Sequence, residues 1–159
     1  MGLFTYLRSK FRNRPSDFEI ADTASAMFLN FMIEPSDAYR IDFRSLPISK
    51  EVQPALGFIA AGSDVVAHTL GGAPAGPASI NAALRVYQGL FDEQYVEGLM
   101  ESTFALYRSL PPEFETGRKL GIDFAIANIR NEPQPETALY KLFDQYYYAY
   151  RKEPSSERP

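Results

Sequence analysis

The chain has 159 residues, of which 45% are hydrophobic, 14% aromatic and 23% charged, and this suits one ordinary soluble domain. The absence of cysteine excludes disulfides, thiolate metal sites and thiol nucleophiles, and a single histidine excludes any site that needs two imidazoles. After the first fourteen residues, twelve basic side chains face twenty acidic ones. Such an acidic body repels phosphates, so we expect no nucleic-acid partner.

The chain begins with a basic amphipathic segment, residues 1–14. Leu3, Phe4, Leu7 and Phe11 recur at helical spacing, and Pro15 ends the segment. Its bases, which no acid accompanies, are Arg8, Lys10, Arg12 and Arg14. The segment suits an anionic membrane surface. It also suits an acidic partner, this protein's own acidic body or a short targeting presequence, and the plainest interpretation is a terminal helix docked on the domain.

Two helices are predicted in the first half of the body. Residues 16–19 have the form of a capping box and predict a helix that ends near Ile33, before Glu34-Pro35. We interpret residues 35–48 as an extended connector with its apolar side chains in the core. The segment 54–70 is apolar nearly all round, which predicts the central, most buried helix. Its small residues should let another helix approach closely; they are Gly57, Ala60, Ala61 and Gly62.

Four further helices are predicted, at about 78–90, 92–110, 113–129 and 136–151, each bounded by glycine, proline or a capping residue. The helix 92–110 carries the clearest apolar stripe, which we expect in the core: Tyr95, Val96, Leu99, Met100, Thr103, Leu106, Tyr107 and Leu110. We expect residues 152–159 to be a disordered tail. The fold class predicted for residues 16–151 is therefore all-α, a single compact domain of six or seven helices counting the first segment.

Part of the chain repeats. Residues 44–57 and 108–121 share seven of fourteen positions, including Ser-Leu-Pro and Leu-Gly, at an offset of 64. Leu-Phe-Asp recurs at 90–92 and 142–144. The matches predict a diverged pair of helical hairpins; the alternative is that Ser-Leu-Pro is ordinary helix punctuation and the matches are chance.

Asp64 and His68 are the one pair that suggests chemistry. They lie four residues apart and so share a helix face. A carboxylate that orients an imidazole is half of a catalytic or metal site, but no nucleophile or further ligand accompanies the pair. The alternative is an ordinary helical ion pair. We therefore expect no catalytic residue, no metal and no cofactor.

Two other patterns suggest contacts with proteins. Glu93, Glu97 and Glu101 form an uncompensated acidic ridge, either a contact for a basic partner or a solvated face. Five tyrosines fall within eleven residues near the C-terminus, more than one helical stripe buries. We expect Tyr140 and Tyr148 at the edge of a subunit contact, because tyrosine is enriched in interfaces. The remaining three should face the core, beside that contact: Tyr146, Tyr147 and Tyr150.

These patterns favour a non-catalytic protein-interaction module, an adaptor or a small acidic inhibitor of the immunity-protein type. We expect it to be cytoplasmic, with a protein partner or a second copy as a homodimer. One alternative is an enzyme or small-ligand binder that uses an apolar pocket near Asp64 and His68. Another is a peripheral membrane protein anchored by residues 2–14.

Overall fold

The computed structural model describes residues 15–72 and 76–154. Of these residues, 82% are helical, and the described ranges form one all-α domain of six helices without a strand, as predicted. The helices are α1 (Asp17–Tyr39), α2 (Gln53–Gly71), α3 (Gly76–Leu90), α4 (Glu93–Ser109), α5 (Pro112–Ile129) and α6 (Thr137–Leu142). No helix in these ranges is both long and apolar enough to cross a lipid bilayer. The basic segment of residues 1–14 lies outside the described residues.

Helix α1 begins as predicted and ends later than predicted. The amide of Glu19 donates to Ser16 Oγ and the amide of Ser16 donates to Glu19 Oε2, which completes the capping box. The helix continues through Pro35 to Tyr39, so the predicted end near residue 33 is wrong. A proline removes one backbone donor, and packing offsets that loss here, because the Tyr39 ring lies 5.1 Å from the ring of Tyr140.

The connector between α1 and α2 buries most of its apolar residues, as predicted, but Ile48 near its end is 38% exposed. Ile41 and Phe43 are 4% and 3% exposed. The backbone is not extended throughout, since Phe43–Ser45 and Lys50–Val52 form short 3-10 turns.

Helix α2 is the centre of the domain, as predicted. Thirteen of its nineteen residues are buried, and its most extensive contact is with α5. Glycines allow the two backbones to touch: a Cβ added at Gly57 would collide with the carbonyl of Phe114, and one at Gly121 with the carbonyl of Phe58. We call this contact the glycine seam; Gly117, which faces the Pro54 carbonyl in the same way, completes it.

Helices α1 and α3 cover other faces of α2, and α4 lies at the edge of the domain. The Phe28, Phe58 and Phe124 rings meet at the centre, with centroids 5.2–6.2 Å apart. Only four of the seventeen residues of α4 are buried. The helix therefore keeps most of its surface outside the core.

The predicted last helix, 136–151, is regular only as far as Leu142. A π-helical turn, Phe143–Tyr147, and a 3-10 turn, Tyr148–Tyr150, replace its second half. Lys152, which the sequence assigns to the tail, is bonded to the body. Its amide donates to the Arg40 carbonyl and its ammonium lies 3.0 Å from Asp42 Oδ2. Residues 155–159 of the predicted tail lie outside the described residues.

The two copies of the repeat meet at the middle of the domain. Gly57 and Gly121, which are equivalent in the repeat, both lie in the glycine seam. Phe91 and Phe143, of the two Leu-Phe-Asp motifs, both lie 5.9 Å from the ring of Phe43. The pairing of hairpins by duplication stays a prediction.

Candidate functional site

Asp64 and His68 form the contact that their spacing predicts. His68 Nδ1 lies 3.1 Å from Asp64 Oδ1 and 3.0 Å from the Asp64 carbonyl oxygen. The two side chains are 47% and 38% exposed, so the pair lies at the surface. In residues 15–72 and 76–154, no three acidic or histidine side chains are placed to hold a metal ion. The geometry is that of a polar side-chain contact within one helix that orients one imidazole.

The acidic ridge lies on the outer face of α4. Glu93, Glu97 and Glu101 are all exposed. None of the three forms an ion pair with another described residue. Their charge is therefore available at the surface.

The C-terminal tyrosines are mostly used inside the domain. Tyr147 is fully buried; its hydroxyl donates to the Glu51 carbonyl and accepts from the Ala55 amide. Tyr140, which we expected at the edge of a contact, is half-buried, and its ring centroid lies 5.1 Å from that of Tyr39. Tyr148 is 61% exposed. The half-buried members of the cluster are Tyr146 and Tyr150. The subunit-contact prediction depends on a surplus of exposed tyrosines. Only Tyr148 of the five is exposed in the structure.

The basic residues proposed to contact a membrane or an acidic partner lie outside the described residues. They are Arg8, Lys10, Arg12 and Arg14.

The exposed apolar surface lies around α4 instead. Its predicted stripe is wider than its buried face: Val96, Leu99, Thr103 and Leu106 are buried. Three stripe residues are exposed by 40–48%, which corrects their assignment to the core: Tyr95, Tyr107 and Leu110. Sequence reasoning missed Phe104 altogether, although it is 42% exposed.

A first groove, the Asp64 groove, lies between α2, α3 and α4 and has a volume of about 350 Å³. Its lining is mainly apolar and includes Asp64, Ser79, Ile80, Met100, Phe104 and Tyr107. Asp64 is at its edge, and His68 is not part of it. Asp64 of α2 and Tyr107 of α4 line the same groove, where partial burial, and secondarily the charge of Asp64, raises the pKa of the Tyr107 hydroxyl.

A second groove, the Gln53 groove, follows the other side of α4 and has a volume of about 610 Å³. The residues that matter for its shape are Ile48, Gln53, Leu56, Tyr95 and Gly98. Gly98 forms an open floor, because a Cβ there would meet no atom within 4 Å. The Oε1 atom of Gln53 is buried and accepts no hydrogen bond from the described residues.

A buried polar contact holds α4 between the two grooves. The Tyr87 hydroxyl of α3 lies 2.8 Å from Thr103 Oγ1 and donates to the Leu56 carbonyl of α2. Burial raises the pKa of Tyr87, so this hydroxyl stays protonated and can donate. The contact joins α2, α3 and α4 between the two grooves.

Comparison of the chain with protein-family models, with curated proteins and with solved structures gives no significant match.

Proposed function

We propose that this protein is a non-catalytic protein-interaction module, an adaptor or inhibitor, that binds another protein through the α4 surface. The observation that carries the proposal is the distribution of exposed apolar side chains. Nine large hydrophobic residues of the described ranges are exposed, and six of them lie on α4, at its C-terminal cap or in the two grooves beside it. These six are Ile48, Ile80, Tyr95, Phe104, Tyr107 and Leu110. They lie along both sides of one helix, and exposed apolar side chains grouped in this way typically mark a contact site.

The size of the patch is enough to support binding. A fully buried aromatic side chain removes about 150–250 Å² from water. Tyr95, Phe104 and Tyr107 each remain 40–42% exposed. Each therefore offers roughly 60–100 Å² to a partner, which corresponds to at most about 1.5–2.5 kcal/mol at about 25 cal/mol per Å², before the cost of association is subtracted.

Charge favours a basic partner segment. The acidic ridge borders the apolar patch, because Glu97 and Glu101 each lie three residues before a groove side chain, Met100 and Phe104. A partner helix with one apolar face and flanking lysine or arginine complements this arrangement. Arg108 is the one base of α4 and lies at its far end.

The test compares three single variants of the full chain in affinity capture from the native source, followed by reconstitution with the purified partner. Tyr95→Ser and Phe104→Ser each remove an exposed α4 side chain. Tyr148→Ser is the control, because Tyr148 is a still more exposed aromatic, at 61%, and lines neither groove. A basic partner that loses at least tenfold in affinity with the α4 variants and none with the control supports the proposal. A reconstituted partner that binds all three variants equally contradicts it.

The second candidate function is binding of a small apolar ligand in the Asp64 groove. It is supported by the apolar lining and by Ser79 Oγ, which is buried and has no hydrogen-bond partner among the described residues. Nile red is a suitable neutral probe. Its fluorescence should rise with the full chain and fall with Ala83→Phe, which fills the groove. A signal that is unchanged by Ala83→Phe, in a variant shown to be folded by circular dichroism, contradicts ligand binding there.

A further inference from the structure

The Asp64 groove combines an apolar lining with an acidic edge, and the same chain carries a segment of the opposite kind. We propose that residues 2–14 dock in the Asp64 groove of their own molecule and so cover half of the α4 surface. The docking contact stands independently of the proposed function. Its consequence, competition with a partner for α4, rests on that function.

The apolar part of the contact follows from the groove's lining. Ile80 and Phe104 are 45% and 42% exposed, on α3 and α4. The segment presents Leu3, Phe4, Leu7 and Phe11 at helical spacing. Seating this face in the groove removes both apolar surfaces from water, which is the main favourable contribution to such an association.

The charges around the groove match the segment. Asp64, Glu97 and Glu101 lie in or beside the groove and are partly or fully exposed. Arg118, near Tyr107, is neutralised by Glu115, to which it donates two hydrogen bonds of 2.8 and 2.9 Å. The edge therefore keeps excess negative charge. The segment supplies four bases and no acid.

The segment joins the body close enough to reach the groove. Ile20, in the first turn of α1, packs against Gly71 at the end of α2. The same end of the domain holds the first turns of α3, which provide Ser79 and Ile80 to the groove. Docking would take the segment across α3, and a helix is about 10–12 Å wide. The five residues between Phe11 and the start of α1 would span roughly 16–18 Å if extended, which leaves Leu3 to Phe11 for the groove.

The absence of cysteine in the natural chain allows a direct test by cross-linking. Ser9→Cys, which removes neither a base nor an apolar residue of the segment, is combined with Ile80→Cys in the groove. The matched control combines Ser9→Cys with Ile33→Cys, because Ile33 is exposed to the same degree, 48% against 45%, but lies on α1. A short bismaleimide reagent is applied to each full-length pair at low protein concentration.

If the segment docks as proposed, the intramolecular cross-link forms at least tenfold faster for the Ile80 pair than for the Ile33 pair. High salt should slow the cross-linking of the Ile80 pair. Equal rates for the two pairs overturn the proposal. Products with the mass of a dimer also overturn it, since the segment then docks on a second copy.

A second set of variants tests the charge complementarity. Reversal of the edge, by Asp64→Lys, Glu97→Lys and Glu101→Lys together, should slow the Ile80 cross-link at least fivefold. The control reverses three exposed acids outside the groove, Asp123, Glu132 and Asp144, and should change it less than twofold. If the edge reversal has no effect in a variant folded by circular dichroism, the docking proposal is wrong. The proposed function then still depends on its own capture experiment.

Discussion

The glycine seam between α2 and α5 is tested by Gly121→Ala. A Cβ at residue 121 would collide with the backbone carbonyl of Phe58, so no side-chain rotation relieves the contact and the helices must separate. Gly98→Ala is the matched control, because the same methyl group on α4 meets no atom within 4 Å. The two variants thus make one chemical change in two different surroundings.

The two substitutions should change stability in opposite directions. Alanine in a helix interior is about 1 kcal/mol more favourable than glycine. At residue 98 that gain is realised, and we expect the free energy of unfolding to rise by about 0.5–1 kcal/mol. At residue 121 overpacking costs about 1–3 kcal/mol or more, and the cost is greatest where backbone is displaced. We expect a net loss of about 1–2 kcal/mol, or a melting temperature lower by roughly 2–8 °C.

Urea unfolding followed by circular dichroism measures both changes. The decisive quantity is the difference between the two variants, which should be at least about 1.5 kcal/mol when the expected gain and loss are combined. A Gly121→Ala variant as stable as Gly98→Ala would show that α2 and α5 are not in backbone contact. The close packing of α2 on α5 through the glycine seam would then be wrong.

Three further predictions concern the core and the tyrosines. Burial raises the pKa of Tyr87 and Tyr147 above the ordinary 10.0, so the unfolded chain releases these protons first. The free energy of unfolding should therefore be constant below pH 10 and fall as the pH rises above it, and it should fall less steeply in Tyr147→Phe. Ultraviolet absorbance follows the tyrosine ionisation, and alkaline unfolding follows the stability. An equally steep fall in the variant refutes this. Leu56→Asp should abolish folding, because Leu56 is 0% exposed and an unpaired buried charge costs several kcal/mol; a soluble, cooperatively melting variant refutes it. Tyr140→Ser should lower the melting temperature, whereas Tyr148→Ser should not. Separately, light scattering that finds a monomer at high micromolar concentration refutes the predicted homodimer.

The helices themselves were largely predictable, and their ends less so. The capping box at Ser16 and the prolines at the start of α2 and α5 act through local backbone geometry, so the sequence shows them directly. Pro35 was misinterpreted as a helix end: the helix continues through it to Tyr39, whose ring packs against Tyr140 from a distant part of the chain. The π-helical turn after Leu142 had no local signal. In this turn the Tyr147 hydroxyl forms hydrogen bonds with the backbone of residues 51 and 55, which are nearly a hundred positions away in the chain.

The candidate site was only partly predictable. The sequence singled out Asp64 because of its spacing from His68. Asp64 does line a groove, but His68 is not part of that groove. The acidic ridge of α4 was visible as a spacing. The apolar surface beside the ridge was not visible in the sequence. The helical spacing assigned Tyr95 and Tyr107 to the core and assigned Phe104 to neither face.

The sequence by itself determined that this is an all-α domain and that α2 is its centre, since a helix that is apolar on every side has no face to leave in water. Periodicity also gave the direction in which each helix points its apolar residues. Only the tertiary structure decided how much of each stripe is covered. Helices α2 and α3 cover the narrow band of α4 from Val96 to Leu106, and the aromatic rings on either side of that band remain exposed. The width of a buried face depends on the neighbours that pack against it, and those neighbours come from distant parts of the chain.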